Sequence, residues 1–448
     1  MTEDIMAPNP TIMQAVEQLG YRVTVGDVAT QSGLNVSLAQ QGLLMLASEA
    51  GGHMQVAESG EIVYQFPKNL RTVLRNKFWR LRLQAWWQRV WRILFYLIRI
   101  SFGIVLLLSI AIIFLSIFII ISMINRDNDD RGNHSSGGMV YMPHFWIGPN
   151  WYWFLYPDYD TRYQQRRREK NELNFLEAIF SFLFGDGNPN ANLEEQRWQS
   201  IATVIRNNSG AVVAEQIAPY LDDIGSGYAQ EYEDYMLPVL TRFNGQPAVS
   251  PQGQLVYHFP ELQVSAAQQR SRAVAPFLQE SLWRFSAASS GQIALAAGLG
   301  LLNFVGAVFL GYLLADGAIA AELGGLVAFA QGIYWLLLGY GTAFLAVPLV
   351  RYFWIKGRNR RISDRNRQRQ LRAGTLAIPD ATLQQKMSYA QQFGANTVIT
   401  QEDLIYSTET DLLEQEVERS DKLDAQWQRR LSQSRGDQES VDNTGGKS

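Results

Sequence analysis

Three long stretches of the chain are almost continuously apolar. Within residues 100–125, 291–316 and 323–350 the one charged side chain is that of Asp316, at the end of the second stretch. About 20 apolar residues in a helix suffice to cross the hydrocarbon core of a bilayer. The pattern predicts three transmembrane helices: a single span over the first stretch, and a C-terminal helical hairpin whose turn lies between Asp316 and Glu322.

A cluster of cations borders this apolar belt at each end. Residues 68–99 and 351–372, which we call the two collars, each contain nine Lys or Arg residues, and Asp364 is the one acid in either. Lys, Arg and Trp are enriched where helices meet lipid headgroups, so residues 68–99 are predicted to form a basic, Trp-rich interfacial helix. The predicted membrane-interface residues are Lys68, Arg71, Arg75, Trp79, Arg82, Trp86, Trp87, Trp91, Arg351, Arg358, Arg360 and Arg361.

The soluble parts of the chain contain an internal repeat. HMQVAESGEIVYQFP at residues 53–67 and QPAVSPQGQLVYHFP at 246–260 share a glycine, a Val-Tyr pair and a Phe-Pro pair at a constant offset of 193 residues. Alternating apolar residues around a Gly-containing turn predict a β-hairpin, and helical spacing precedes each one. The sequence therefore predicts an α+β fold with two winged-helix-like modules, residues 1–67 and 191–262, beside the three transmembrane helices.

The remaining segments are assigned by composition. Residues 126–190 combine a Gly/Ser-rich linker with an aromatic segment, residues 263–290 are predicted to form a connecting helix, and residues 351–448 are predicted to be a basic collar followed by a polar helical tail. Ten aromatic side chains and three prolines lie between residues 140 and 163, a density that requires protein or interfacial contacts. Self-packing is one interpretation. The other is a partner-binding site, with Trp146, Trp151 and Trp153 as its candidate residues.

Charge weighs against nucleic acid as a partner. A winged-helix module invites the hypothesis of DNA binding, but residues 23–67 contain no Lys or Arg. Non-specific affinity for DNA comes from cations that neutralise phosphates. The expected partners are therefore the lipid bilayer and other proteins. A membrane-tethered transcriptional regulator that binds DNA through residues 1–67 is the alternative.

The composition also limits the chemistry. The chain contains no cysteine, which excludes disulfides, cysteine nucleophiles and clusters held by cysteine thiolates. No phosphate-binding Gly-rich loop with Lys, zinc-binding HExxH or nucleophile elbow is present in the sequence. We therefore expect no enzymatic activity, no cofactor, no metal and no small-molecule substrate.

Within the apolar stretches, small residues predict close helix packing. The pairs are Ala294 with Gly298, Ala307 with Gly311, and Gly339 with Ala343, each spaced i, i+4. Asn303 and Gln331 are expected to form hydrogen bonds to a neighbouring helix.

The number of spans conflicts with the charge pattern. The positive-inside rule places both collars on the cytoplasmic side, whereas three crossings put them on opposite sides. The C-terminal tail is expected to be cytoplasmic, and the sidedness of the two modules stays open.

Three motifs resemble those of a protein family. YLIRISFGIVLLLSIAIIF at 96–114, FLEAIFSFLFGDGNPN at 175–190 and DLIYSTETDLLEQE at 403–416 are similar to sequences of cyanobacterial and chloroplast membrane proteins. Plant members of that family carry the label "iron-sulfur cluster biosynthesis family protein". The resemblance implies a thylakoid or plasma membrane in a cyanobacterium-like cell, and a role in the upkeep or assembly of membrane complexes. The leading hypothesis is a non-enzymatic membrane scaffold or assembly factor, which acts through protein contacts of its acidic modules.

Overall fold

The computed structural model describes most of the chain as a mixture of helices and small sheets. The described residues are 9–77, 79–129, 174–268, 271–315 and 318–417, with 420, 424, 427 and 428. Two compact units are present. The module unit comprises Met1–Ala85, Asn190–Glu280 and Asp364–Ser448, and the bundle unit comprises Trp86–Pro189 and Ser281–Ser363.

The first module is a set of three short helices followed by a hairpin. Its elements are α1 (Pro10–Gln18), β1 (Arg22–Val23), α2 (Val25–Ser32), α3 (Val36–Ala50), β2 (His53–Ala57) and β3 (Ile62–Gln65). β3 lies between β1 and β2 and is antiparallel to both. The helices bury one face each, through Val16, Val28 and Leu43 among others. Gly33, at φ 70°, ends α2 in the left-handed conformation that glycine adopts without strain.

The N-terminal collar is helical and runs directly into the first span. α4 (Leu70–Lys77) precedes α5 (Trp79–Asp129), which has 51 residues and contains a stretch apolar enough to cross a membrane. After the residues outside the described ranges comes α6 (Phe175–Phe184), a helix of 10 residues with an apolar composition. At about 1.5 Å per residue α6 is too short to cross a bilayer alone.

The second module repeats the strand order of the first. Its elements are α7 (Leu193–Asn207), β4 (Ala211–Val212), α8 (Ala214–Ile217), α9 (Tyr228–Glu231), α10 (Leu237–Phe243), β5 (Gln246–Val249) and β6 (Leu255–His258). β6 lies between β4 and β5, as β3 lies between β1 and β2. α11 (Pro260–Gln263) and β7 (Val264–Ser265) follow.

The predicted connecting helix over 263–290 is wrong. Gln263 ends α11 and Ser290 begins the next helix, but no residue within 264–268 or 271–289 is helical. Side chains from another helix occupy the backbone groups that a helix would need. Asn366 accepts the N–H of Glu280 at 2.9 Å and donates to its carbonyl at 2.8 Å. Asn359 engages Trp283 in the same way, at 2.8 and 2.9 Å.

The second and third membrane helices are α12 (Ser290–Leu313) and α15 (Tyr334–Ala377), separated by α13 (Ala318–Leu323) and α14 (Gly325–Gly332). The prediction of one helix over 323–350 is therefore wrong at its start. Gly324 and Gly325 take φ values of 58° and 52°, which interrupts the helix, and a second break at Ile333 separates α14 from α15.

The tail is also different from the polar helical tail that the sequence predicts. It contains α16 (Ala381–Gln391), β8 (Thr397–Val398) and β9 (Leu404–Ser407), with further helical residues from 412 to 417. β9 pairs antiparallel with β2, so the first sheet has four strands in the order β1-β3-β2-β9. β8 pairs in parallel with β7. Tail residues thus complete two sheets that begin far earlier in the chain, one at Arg22 and one at Val264.

The two modules share one hydrophobic core. A single buried cluster contains residues of both, including Val28 and Leu43 from the first module and Ile201, Ile205 and Phe243 from the second. The sequence treats 1–67 and 191–262 as separate modules, whereas the structure unites them with the tail in the module unit. Burial of each large apolar side chain stabilises such a core by about 1.5–3 kcal/mol.

Helix packing in the bundle unit uses different glycines from most of those predicted. Gly298 and Gly339 have no neighbour within 4 Å of a Cβ built on them, and Ala294 and Ala343 are exposed. Ala307 is buried, and Gly311 contacts Tyr334, as the i, i+4 rule predicts. Close approaches that were not predicted include Gly300 against Phe344, Gly306 against Ile113 and Gly341 against Asn303.

Candidate functional site

Asp27 lies at the junction between the two modules. Its Oδ2 accepts the N–H groups of Thr24 at 3.0 Å and of Ala266 at 2.9 Å, while its Oδ1 accepts Nη2 of Arg206 at 2.6 Å. Thr24 in turn caps α2, because its hydroxyl oxygen accepts the N–H of Asp27. One buried carboxylate therefore fixes the start of α2, the segment after β7, and α7.

A second junction holds the tail on the second module. Nζ of Lys386, in α16, lies 2.9 Å from Oε1 of Glu215 and 2.5 Å from Oε1 of Glu233. Glu233 also accepts the hydroxyl of Tyr257 at 2.8 Å. Burial and this hydrogen bond to Glu233 raise the pKa of Tyr257, so the phenol stays protonated and remains a donor.

The C-terminal half of the second collar forms a third junction. Arg369 is 1% exposed and pairs with Asp222 and, at 2.9 Å, with Oε1 of Glu280. Arg365 binds the same Glu280 carboxylate with two nitrogens, at 2.6 and 2.7 Å. Burial opposes the ionisation of Asp222 and Glu280, but the hydrogen bonds and charges of these arginines, with Arg197 beside Asp222, outweigh it and lower both pKa values.

The exposed side of α3 is a helical stripe without charge. It consists of Ser37, Leu38, Gln41, Leu44 and Ser48, all exposed, and we call it the α3 face. Leu38 is 56% exposed and Leu44 43% exposed. The α3 face therefore presents two partly exposed leucines among uncharged polar side chains.

The tip of the first hairpin is occupied by the tail. The N–H of Glu58 donates to the carbonyl of Asp403 at 2.8 Å, immediately before β9. In a DNA-binding winged helix this tip would carry cations to the phosphate backbone. Here the tip carries Glu58 instead of a cation, and the backbone N–H of Glu58 is bonded to the tail.

The predicted membrane-interface residues fall into three groups. Lys68, Trp86, Trp87, Trp91, Arg360 and Arg361 are exposed, as is Arg71, which pairs with Glu17 at 2.6 Å. Arg358 is exposed and lies over the rings of Trp283 and Trp354, at 4.8 and 5.2 Å from their centroids. The side chains of Arg75, Trp79 and Arg82 lie outside the described part of the chain.

Arg351 is engaged inside the bundle unit. It donates to the carbonyls of Ser181 and Phe182, at 3.3 and 2.8 Å, and lies 4.6 Å from the ring centroid of Phe285. Its guanidinium thereby satisfies carbonyls near the C-terminus of α6, a favourable position for a cation. The candidate partner-binding residues Trp146, Trp151 and Trp153 lie outside the described residues.

Sequence reasoning missed the residues that join distant segments. Asp27, Arg206, Arg369 and Lys386 were not singled out, because their ion-pair partners lie at least 89 positions away in the chain. Asn359 and Asn366 did give a local signal, because they lie two helical turns apart and therefore on one face of α15. Both bind the backbone of the segment that contains Glu280 and Trp283.

Comparison with known proteins gives one strong relative. Over 439 residues the chain is 37% identical to a protein of Arabidopsis thaliana described as "Uncharacterized protein At5g03900, chloroplastic", and the alignment covers 94% of this chain and 82% of that protein. The chain belongs to the family of this chloroplast protein. The finding supports the resemblance to chloroplast proteins, while the iron–sulfur label and a cyanobacterial origin stay predictions. No protein-family model matches the chain. No solved structure matches it either.

Proposed function

We propose that the protein is a non-enzymatic integral membrane scaffold that supports the assembly or maintenance of membrane protein complexes, with photosynthetic complexes as its partners. The observation that carries the proposal is the α3 face, an exposed and uncharged helix surface on a body that is anchored to apolar helices. The setting is a chloroplast or cyanobacterial membrane, the thylakoid in particular, which agrees with the chloroplast relative.

We interpret each module as winged-helix-like. Both modules consist of a helix, a first strand, further helices and a hairpin, with the first strand beside the last. The second module has three helices between its first strand and its hairpin, and the first module has two. In such folds the helix before the hairpin is the recognition element, and the scaffold carries functions unrelated to DNA as well. α3 holds that position in the first module. In the second module the corresponding helix, α10, is used within the chain, since Arg242 donates to the carbonyl of Gly33 at 2.8 Å.

The α3 face offers enough apolar area for a moderate contribution to binding. Complete burial of a leucine side chain is worth about 1.5–3 kcal/mol, so two half-exposed leucines together supply about the same amount. That is on the order of 10- to 150-fold in affinity. Such a surface is suited to a specific but reversible contact with a protein.

DNA binding through residues 1–67 is the alternative function, and two observations weigh against it. The α3 face contains no cation that would neutralise phosphates. The tip of the hairpin, which would contact the DNA backbone, is paired with the tail through Glu58 and Asp403.

Affinity purification tests the scaffold proposal. Tagged full-length protein, purified from solubilised chloroplast or cyanobacterial membranes, is expected to retain the subunits of one membrane complex in a constant ratio. The double variant Leu38→Asp with Leu44→Asp is expected to lower the affinity for the partner by at least about 10-fold and to reduce this recovery accordingly. Val249→Asp is the matched control, because Val249 is 60% exposed on β5, away from the α3 face.

Two results would contradict the proposal. One is recovery of the wild-type protein alone, and the other is an equal loss of partner in the Val249 and leucine variants. A gel-shift with the solubilised full-length protein separates the alternative: sequence-selective DNA binding at physiological salt would favour a transcriptional regulator.

A further inference from the structure

The directions of the membrane helices bear on how the chain is threaded through the bilayer. Within the bundle unit, contacts between α5 and α12 advance together along both helices. Ser109 donates to Oδ1 of Asn303 at 2.8 Å, and further along Ile113 packs on Gly306. The two helices are therefore parallel, although they are successive membrane helices of the chain.

α15 runs in the opposite direction to α12. Gly300 contacts Phe344, Asn303 contacts Gly341, and Gly311 contacts Tyr334, so positions in α15 fall as those in α12 rise. The start of α5, the start of α12 and the end of the apolar part of α15 consequently lie at one end of the bundle, which we call the collar end.

α6 also lies at the collar end. Leu176 packs against Gly103 near the start of the first span, and Arg99 binds Asp186, just beyond α6, at 2.9 Å. α5 continues for 26 residues from Gly103 to Asp129, which corresponds to about 39 Å of helix. A bilayer is about 40–45 Å thick with its headgroups. Asp129 and the start of α6 are thus on opposite sides of the membrane.

We infer that the chain crosses the membrane an even number of times, since Asp129 and the start of α6 lie on opposite sides of it. Both collars then lie on the same side, which removes the conflict between the charge pattern and three crossings.

The module unit leads to the same conclusion on independent grounds. Its single core combines residues of both modules, and β9 from the tail pairs with β2. A core of this kind cannot form across a bilayer. The N-terminal module, the second module and the tail must therefore emerge on one side, which an odd number of crossings does not allow.

Cysteine accessibility tests the inference directly, because the wild-type chain contains no cysteine. Single variants are made at exposed positions of the module unit: Ser48→Cys, Ser226→Cys and Ser388→Cys. Matched variants at the other end of the bundle are Asn128→Cys, Ala315→Cys and Glu322→Cys. Each is labelled with a membrane-impermeant maleimide in sealed vesicles, and labelling after permeabilisation provides the reference.

The two sets are expected to label from opposite sides. In vesicles that expose the module unit, the first three variants should reach the level seen after permeabilisation, and the other three should label only after it. Vesicles of inverted orientation should reverse the pattern, so a misfolded variant, which labels equally in both, is recognised. If Asn128→Cys is labelled from the same side of the membrane as Ser48→Cys or Ser226→Cys, the inference is overturned.

Discussion

Arg206 of the second module donates to Asp27 of the first, with 2.6 Å between Nη2 and Oδ1, and both side chains are largely buried. Removal of one member of a buried ion pair leaves an uncompensated charge, which typically costs about 3–5 kcal/mol. We expect Asp27→Asn to weaken the shared core on this scale. Hydrogen exchange should show a loss of amide protection in α2 and α7 of roughly 100- to 4,000-fold.

Glu231→Gln is the control for this change. It makes the same acid-to-amide substitution at an exposed position of the second module. Surface substitutions of this kind usually change stability by less than about 0.5 kcal/mol. Equal protection in α2 for the two variants would mean that the Asp27–Arg206 pair does not hold the modules together.

Lys386 provides a test of how the tail is attached. Lys386→Met leaves Glu215 and Glu233 facing each other without their shared ammonium group. We expect α16 to detach more readily, and chymotrypsin to cleave faster at Tyr389 and Phe393 than in the wild type. Lys356→Met, at an exposed lysine, should have no such effect.

A rescue experiment distinguishes charge from packing in the same site. The triple variant with Lys386→Met, Glu215→Gln and Glu233→Gln removes both unpaired charges, and replacing all members of a buried ionic group is often nearly neutral. It should recover most of the resistance to chymotrypsin. A triple variant as sensitive as Lys386→Met would show that the methylene stem, not the charge, is what holds α16.

The sequence predicts local features of this protein well and distant pairings poorly. The apolar spans can be predicted because about twenty successive residues are apolar. The capping of α2 by Thr24 is also local, since it involves Asp27, three positions away. β9 has only four residues, and its partner β2 lies about 350 positions away. In the sequence, Arg369 is indistinguishable from the other cations of its collar. In the structure it forms ion pairs with Asp222 and Glu280. The charge of a side chain does not by itself show whether that side chain contacts lipid or forms such an ion pair.

The same cluster predicts how stability depends on pH. The pKa values of Asp222 and Glu280 are lowered in the folded protein, so their stabilising effect is complete above the unfolded values of about 3.9 and 4.3. It is lost as the pH falls through the lower folded values. We expect the thermal midpoint of the module unit to drop below about pH 4, where these two carboxylates begin to be protonated in the unfolded chain.

The double variant Asp222→Asn with Glu280→Gln isolates this contribution. It should be less stable than the wild type at pH 7, and its thermal midpoint should fall less steeply between pH 5 and pH 3. Parallel curves for the two proteins would assign the acid sensitivity to other carboxylates.

Two neighbouring glycines of α12 should respond in opposite ways to the same substitution. A Cβ on Gly300 would overlap the ring of Phe344, whereas a Cβ on Gly298 has nothing within 4 Å. Overpacking a tight helix contact costs about 1–3 kcal/mol, while Ala is favoured over Gly in an open helical position by up to about 1 kcal/mol. We therefore expect Gly300→Ala to lower the thermal midpoint of the detergent-solubilised protein, and Gly298→Ala to leave it unchanged or raise it. Because both changes add one methyl group to the same helix, a lower midpoint in both variants would mean that the backbone of α12, and not its contact with α15, is sensitive to the substitution.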